Sequence, residues 1–250
     1  MISLSKISTN GKFMFLAYDH GLEHGPSDFN DVNVDPNYIL DIAVKGGFSA
    51  VILQKGIAEK YYAPSKNNVH LIIKLNGKTN LVEEEPYSAP LCTVDEAIKL
   101  KASAVGYTLY VGSKFESMMF KEFGRVVEEA HSKNIPVIAW MYPRGKAVKG
   151  REDSREILAY SARVGLELGA DILKLHYAGN VLDMEWVVES AGKAKVVISG
   201  GMKESEKEFL KDLKDAMKAG CSGVAVGRNV WQRKTPLPFV NEIYGVVMCG

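Results

Sequence analysis

Eight short apolar runs rich in β-branched residues recur along this 250-residue chain, with segments of helical period or polar loops between them. Strands that alternate with helices make βα units, and such units build a parallel sheet. The runs predict strands over Phe13–Tyr18, Ala50–Leu53, His70–Lys74, Ala104–Tyr107, Pro136–Trp140, Asp171–Leu175, Lys195–Ser199 and Gly223–Val226. The clearest helices fall over Lys114–Ser132, Ser154–Gly169 and Ser205–Gly220. In the last, Ser205 and Glu208 have the spacing of a capping box, and Gly220 can end the helix. Eight βα units close most simply into a single (β/α)8 TIM barrel, for which about 250 residues is a typical length. A doubly wound open sheet is the second choice. No linker or low-complexity tract divides the chain, so residues 1–250 are expected to form one barrel domain.

Composition narrows the function classes. A net charge of +1 gives no reason to expect nucleic acid or an anionic membrane surface as a partner. No run approaches the roughly 18 apolar residues of a membrane span, and Met1–Asn10 has no apolar core of a secretion signal. Cys92, Cys221 and Cys249 lie far apart in sequence, which fits a reducing, cytoplasmic setting and neither a disulfide framework nor a zinc knuckle.

In barrels, chemistry gathers at the C-terminal ends of the strands. The first strand ends in Asp19-His20-Gly21-Leu22-Glu23-His24-Gly25-Pro26, and Asp19 shares the parity of Phe13, Phe15 and Ala17. The fifth ends in Trp140-Met141-Tyr142-Pro143-Arg144, with Trp140 and Tyr142 both expected at the barrel mouth. The sixth places Ile172, Lys174 and His176 on one face. The seventh and eighth end in Ser199-Gly200-Gly201 and Gly227-Arg228, where barrels often hold phosphate with backbone amides. The basic loop Pro143–Arg151 is either a solvated turn or a contact for a second phosphate. Asn76–Thr93 is long and polar for a βα loop, and is expected to cover part of the active-site face.

Lys174 stands out because it lies between Leu173 and Leu175 on a strand facing a packed interior. One reading is a lysine that snorkels or pairs with a carboxylate such as Asp19. The other is an amine whose pKa is lowered by burial and a nearby cation, with Arg144 as candidate, so that it attacks a carbonyl. A metal reading comes from His20, Glu23 and His24, which spell H-x-x-E-H. That motif needs a helix, and Gly21 with Gly25-Pro26 describes a turn instead. No third ligand is evident, so no metal and no cofactor are expected.

Taken together, these residues resemble the archaeal-type class I fructose-1,6-bisphosphate aldolases (the DhnA-like aldolase family). The matching stretches are AYDHGLEHGP at 17–26, QKGIAEKYY at 54–62, IIKLNGKTNL at 72–81, ASAVGYTLY at 102–110, AWMYPRG at 139–145, LELGADILKLHYAG at 166–179, ISGGMK at 198–203 and GVAVGRNVWQ at 223–232. The resemblance implies a TIM barrel with Lys174 as the Schiff-base lysine, Tyr142 as the proton-transferring residue and Asp19 beside the lysine. It implies that Trp140 lines the sugar site and that Ser199, Gly200, Gly201, Gly227 and Arg228 hold the C1 phosphate. His20, His24, Asp28 and Arg144 fall on positions that contact the rest of the substrate.

The same resemblance implies phosphorylated ketose and triose partners, metal-free chemistry in glycolysis and gluconeogenesis, and a homo-oligomer, often a decamer. A sister group, the 2-amino-3,7-dideoxy-D-threo-hept-6-ulosonate synthases, shares the lysine and tyrosine in a transaldolase-like reaction. That group tends to lack the Glu-His pair and the tryptophan present here as Glu23-His24 and Trp140. A non-catalytic phosphosugar-binding barrel is the remaining alternative. Departures from the aldolase pattern are Leu175-His176, Met141, Met202 and a short C-terminal end.

Overall fold

The computed structural model describes residues 2–249. Eight parallel strands close into a barrel: β1 (Phe13–Ala17), β2 (Ala50–Gln54), β3 (His70–Lys74), β4 (Ala104–Leu109), β5 (Val137–Met141), β6 (Ile172–Leu175), β7 (Lys195–Ser199) and β8 (Gly223–Val226). Each strand pairs with its sequence neighbours, and β1 pairs with both β2 and β8 to complete the ring. No strand end lies more than two residues from the expected position. The fold is a (β/α)8 TIM barrel.

Alternation along the strands sorts side chains into two apolar layers. Inside the ring lie Phe13, Phe15, Ala17, Ile52, Ile72, Ile138, Trp140, Ile172, Val197 and Ala225, with Ile7 from a 3-10 turn (Ser5–Ile7) in the same cluster. The opposite parity, including Met14, Leu16, Val51, Leu173 and Val224, packs in the larger cluster that includes the helices. Trp140 is too large for the ring unless a neighbour yields space. Gly106, on the adjoining strand β4, yields it: a Cβ there would stand 1.9 Å from Trp140 Cζ3.

Local signals behave as the chemistry requires. Ser205 and Glu208 form a reciprocal capping box at the start of the helix Glu206–Lys218, satisfying two otherwise orphaned amides. Ser154 caps the helix Arg155–Glu167 through Ile157 N. The segment after β3 opens with a two-residue antiparallel ladder, Asn76–Gly77 against Ala89–Pro90. Asn76 is fully buried, donating to the Ser88 and Thr108 carbonyls and accepting from Thr108 N. Beyond it, Asn80 N donates to Glu23 O, and Glu85 accepts from the Lys114 and Lys146 amides. The segment therefore ties together loops at the C-terminal end of the barrel, the placement expected from its length.

His20-Gly21-Leu22-Glu23-His24 departs from expectation. It forms one α-helical turn, His20–His24, continued by a 3-10 turn, Gly25–Asp28. Gly21 does not break it because a single turn needs little intrinsic propensity when tertiary packing holds it. His20 here packs on Trp231, with ring centroids 5.6 Å apart.

Candidate active site

The inward parity that builds the barrel core also delivers a polar set where the strands end. Beyond Ala17 comes Asp19, beyond Ile72 Lys74, beyond Trp140 Tyr142, beyond Ile172 Lys174, beyond Val197 Ser199 and beyond Ala225 Gly227. These residues line one cleft with about 570 Å³ of empty space, together with His20, Glu23, His24, Arg144, His176, Gly200, Gly201 and Arg228. Every candidate named from the sequence lies on this cleft except Asp28, which stands behind it.

Lys174 is 4% exposed, and among the described residues it has no salt-bridge partner. Burial pushes its pKa down. Asp19 and Glu23 oppose that shift, and Arg228 reinforces it. The cation acting on Lys174 is thus Arg228 rather than Arg144, because Arg144 is bound to Glu23 at 2.8 Å. Nor does Asp19 pair with Lys174. Its Oδ2 lies 3.2 Å from Nζ of Lys74, a second buried lysine that the sequence reading passed over. Burial alone would raise the Asp19 carboxyl, but Lys74, His20 and Lys174 together hold it well below the usual carboxylate range.

Trp140 occupies the floor, not the mouth. It is 1% exposed and pairs in register with Lys174, whose Nζ lies 5.2 Å from the indole centroid. Side chains of the same parity step up the barrel axis, so Trp140 sits one layer below Tyr142. The Tyr142 ring lies 5.9 Å from Lys174 Nζ and 5.4 Å from the Arg144 guanidinium carbon. Burial, with help from Asp19, pushes its phenol well above the ordinary tyrosine value, so it holds its proton.

The wall formed by β7 and β8 is suited to an anion. Ser199 Oγ and Arg228 Nε are buried with no partner among the described residues, although buried polar groups normally have one. Gly227 lets the wall close on itself: a Cβ there would stand 2.5 Å from His20 Cε1 and 2.7 Å from Ala17 O. Asn229, fully buried and not anticipated, clamps the adjoining loop. It donates to the Gly200 and Met202 carbonyls and accepts from Glu204 N. Arg228 is oriented by Gly201 O at 3.1 Å and by Asp28 at 3.6 Å.

Asp28 also accepts from His24 Nδ1 at 2.5 Å, so it positions both His24 and Arg228. Burial acts to raise the Asp28 carboxyl, but the His24 hydrogen bond and the Arg228 charge outweigh it and hold the pKa down. His20 is pushed down to about 4, chiefly by burial, with Lys174 and Arg228 adding to the effect against Asp19. His20 and His24 do share a helical face, with rings 5.8 Å apart. Asp28 occupies one of the His24 nitrogens, and no group of three metal-ligating side chains is found among the described residues. In the basic loop, only Arg144 reaches the cleft. Lys146, Lys149 and Arg151 do not line it.

Chemically, the cleft combines an uncharged-leaning amine, a protonated phenol, a buried carboxylate and an anion-binding wall. A model of DeoC/LacD family aldolases matches residues 13–233. The class 1 fructose-bisphosphate aldolase of Thermoproteus tenax is 50% identical over 243 residues, covering 96% of this chain and 91% of that protein. The corresponding protein of Halobacterium salinarum is 48% identical over 245 residues, covering 97% and 93%. An archaeal fructose 1,6-bisphosphate aldolase of known structure superposes with a TM-score of 0.95 at 49% identity, covering 99% of this chain and 98% of its own. Another archaeal aldolase structure, with its catalytic lysine covalently bound to the carbinolamine intermediate, gives 0.94 at 48% identity, covering 98% and 97%. With sequence and barrel matching over nearly its whole length, this chain belongs to the DeoC/LacD family of aldolases.

Proposed function

We propose that this chain is a class I fructose-bisphosphate aldolase that forms its Schiff base on Lys174. The observation that carries the assignment is the isolation of Lys174: a buried amine, without a carboxylate of its own, between a phenol and an anion-binding wall. The free amine attacks C2 of fructose 1,6-bisphosphate to give a carbinolamine. Loss of water, with a proton supplied by Tyr142, gives the iminium. The ionised Asp19 carboxylate stabilises that cation, which the neutral amine did not require. The phenolate left on Tyr142 then takes the C4 hydroxyl proton, the C3–C4 bond breaks, and the electron pair passes into the iminium to form an enamine. Glyceraldehyde 3-phosphate leaves. Protonation of the enamine at C3 and hydrolysis release dihydroxyacetone phosphate and regenerate Lys174. These steps call for no metal.

Ser199, Gly200, Gly201, Gly227 and Arg228 hold the C1 phosphate in this scheme. His20, His24 and Arg144 meet the remainder of the sugar, with Asp28 holding His24 and Arg228 in place. Fixing the substrate in this way sets the carbonyl beside Lys174 and converts binding into rate. Borohydride reduction in the presence of dihydroxyacetone phosphate, followed by peptide mapping, tests the assignment. One adduct on Lys174 is expected, with activity indifferent to EDTA. An adduct on Lys74 instead would overturn it.

Residues 1–250 are read as one barrel domain acting on phosphorylated ketoses and trioses, in the cytoplasm, in glycolysis or gluconeogenesis. Three unpaired cysteines fit that compartment. A homo-oligomer, of decamer type, is the proposed assembly. Exposed Tyr160, Leu182 and Trp186 on the neighbouring helices Arg155–Glu167 and Val181–Ser190 support self-association. Light scattering on the purified protein tests it.

A further inference from the structure

The residue after Arg228 does not line the cleft. Asn229, in the short helix Arg228–Trp231, is 0% exposed and stands behind the loop that follows β7. Its amide nitrogen donates to Gly200 O at 2.5 Å and to Met202 O at 2.7 Å, and its Oδ1 accepts from Glu204 N at 3.0 Å. Both amide protons are therefore spent. Because carbonyl oxygens only accept, these partners leave one orientation for the amide. The two carbonyls it holds bracket Gly201, whose φ of +60° lies in the left-handed region that glycine adopts without strain.

The Gly200 carbonyl is thus drawn away from the cleft, toward Asn229. Across the same planar trans peptide, the N–H of Gly201 points the opposite way. It has no partner among the described residues, whereas the Gly200 N–H is taken by Ala225 O at 3.2 Å. Gly201 therefore supplies an amide that this loop can offer to an anion. A glycine–glycine peptide also turns over at little steric cost, since neither residue carries a side chain to resist a change of φ or ψ. Turned over, it would present a carbonyl oxygen to the phosphate and repel it. We infer that Asn229 is a positioning residue that locks the Gly200–Gly201 peptide with its N–H toward the substrate phosphate. The preference for phosphorylated ketoses then depends on a side chain that never touches them. This rests on the Schiff-base aldolase reading, in which this wall holds the C1 phosphate. A role limited to packing would weaken the binding of every ketone alike.

Borohydride trapping, read by intact mass against ketone concentration, tests it with dihydroxyacetone phosphate and with dihydroxyacetone, the same ketone without phosphate. In Asn229→Ala the half-saturating concentration of dihydroxyacetone phosphate is expected to rise about 10- to 100-fold, the usual worth of a charge-assisted hydrogen bond. That of dihydroxyacetone should not change. Asn229→Asp fills the same space and still accepts from Glu204 N, but a carboxylate has no proton for either carbonyl. It should therefore lose the phosphate preference as well, without leaving a void. An equal rise for both ketones overturns the inference and makes Asn229 a packing residue. A phosphate preference that survives both substitutions overturns it too, and leaves the aldolase reading intact as long as the adduct still forms. No adduct with either ketone in the unmodified protein removes the Schiff-base reading, and this inference with it.

Discussion

The ammonium of Lys74 lies 3.2 Å from the carboxylate of Asp19, and both side chains are about 95% buried. The pair divides labour between two lysines on the same barrel interior. Lys74 is engaged by a carboxylate, which occupies its Nζ and directs it away from any substrate carbonyl. Lys174 has no such partner, and burial with Arg228 disfavours its charge. Both ammonium nitrogens approach the same indole, at 6.0 Å for Lys74 and 5.2 Å for Lys174. Two chemically identical groups therefore stand over one ring with different partners.

Removing one member of that pair should be costly. Lys74→Met leaves Asp19 buried without its ion-pair partner, a change of the kind that destabilises by about 3–5 kcal/mol. Adding Asp19→Asn in the same chain should recover part of the loss. Urea denaturation of the single and double variants measures both effects. A single variant within roughly 0.5 kcal/mol of the parent, the spread of ordinary surface changes, would mean that the pair contributes little.

Tyr142→Phe separates the ring from the hydroxyl. The ring packs in the cleft wall, so the melting temperature should hold. If the hydroxyl moves protons, kcat should fall about 10²- to 10⁴-fold. Lys174 remains, so a trapped adduct can still form while turnover stalls. A variant with full activity and unchanged stability would assign Tyr142 to packing.

Arg228→Ala should raise KM for phosphorylated ketoses roughly 10- to 100-fold while altering kcat less. Its guanidinium also bonds Gly201 O and faces Asp28, so part of the effect comes from a looser wall. Steady-state kinetics on fructose 1,6-bisphosphate measures it. An unchanged KM would place the phosphate elsewhere.

Stability should fall on the acid side partly because of His20. Its folded pKa is about 4, against an ordinary value of about 6.5 in the unfolded chain. Between those values the unfolded chain binds the proton and the folded one does not, so stability drops as pH falls through that window. Above about pH 6.5 the contribution is constant. Thermal melts at pH 7 and pH 4.5 should show a larger loss for the parent than for His20→Asn. Equal losses would mean that the imidazole protonates as readily in the fold as outside it.

Much of this architecture is legible in the sequence because strand parity is a local property. Ile172 and Lys174 share a face whatever the rest of the chain does, and so do Ala17 and Asp19. The same rule applied to Ile72 would have singled out Lys74, a signal present in the strand but unread. What parity cannot reveal is partnership between strands far apart in sequence. Asp19 meets Lys74 rather than Lys174, and Arg228 rather than Arg144 is the cation acting on the nucleophile. Asn229 is opaque for a similar reason, since its partners at Gly200, Met202 and Glu204 lie on another loop. The helical turn at His20–His24 was hidden by its glycines, whose weak propensity is overridden by packing.

The fit of Trp140 over Gly106 makes the two positions one choice of volume. Any side chain at 106 collides with the indole, and any smaller residue at 140 opens a void beneath the lysine. Mutational paths that change the floor of the cleft must therefore pass through both positions together. A single replacement at either site is poorly tolerated, and a matched exchange, such as alanine at 106 with leucine at 140, is the compatible route to a wider chamber. The shape of the cleft floor is thus set partly by a residue that has no side chain of its own.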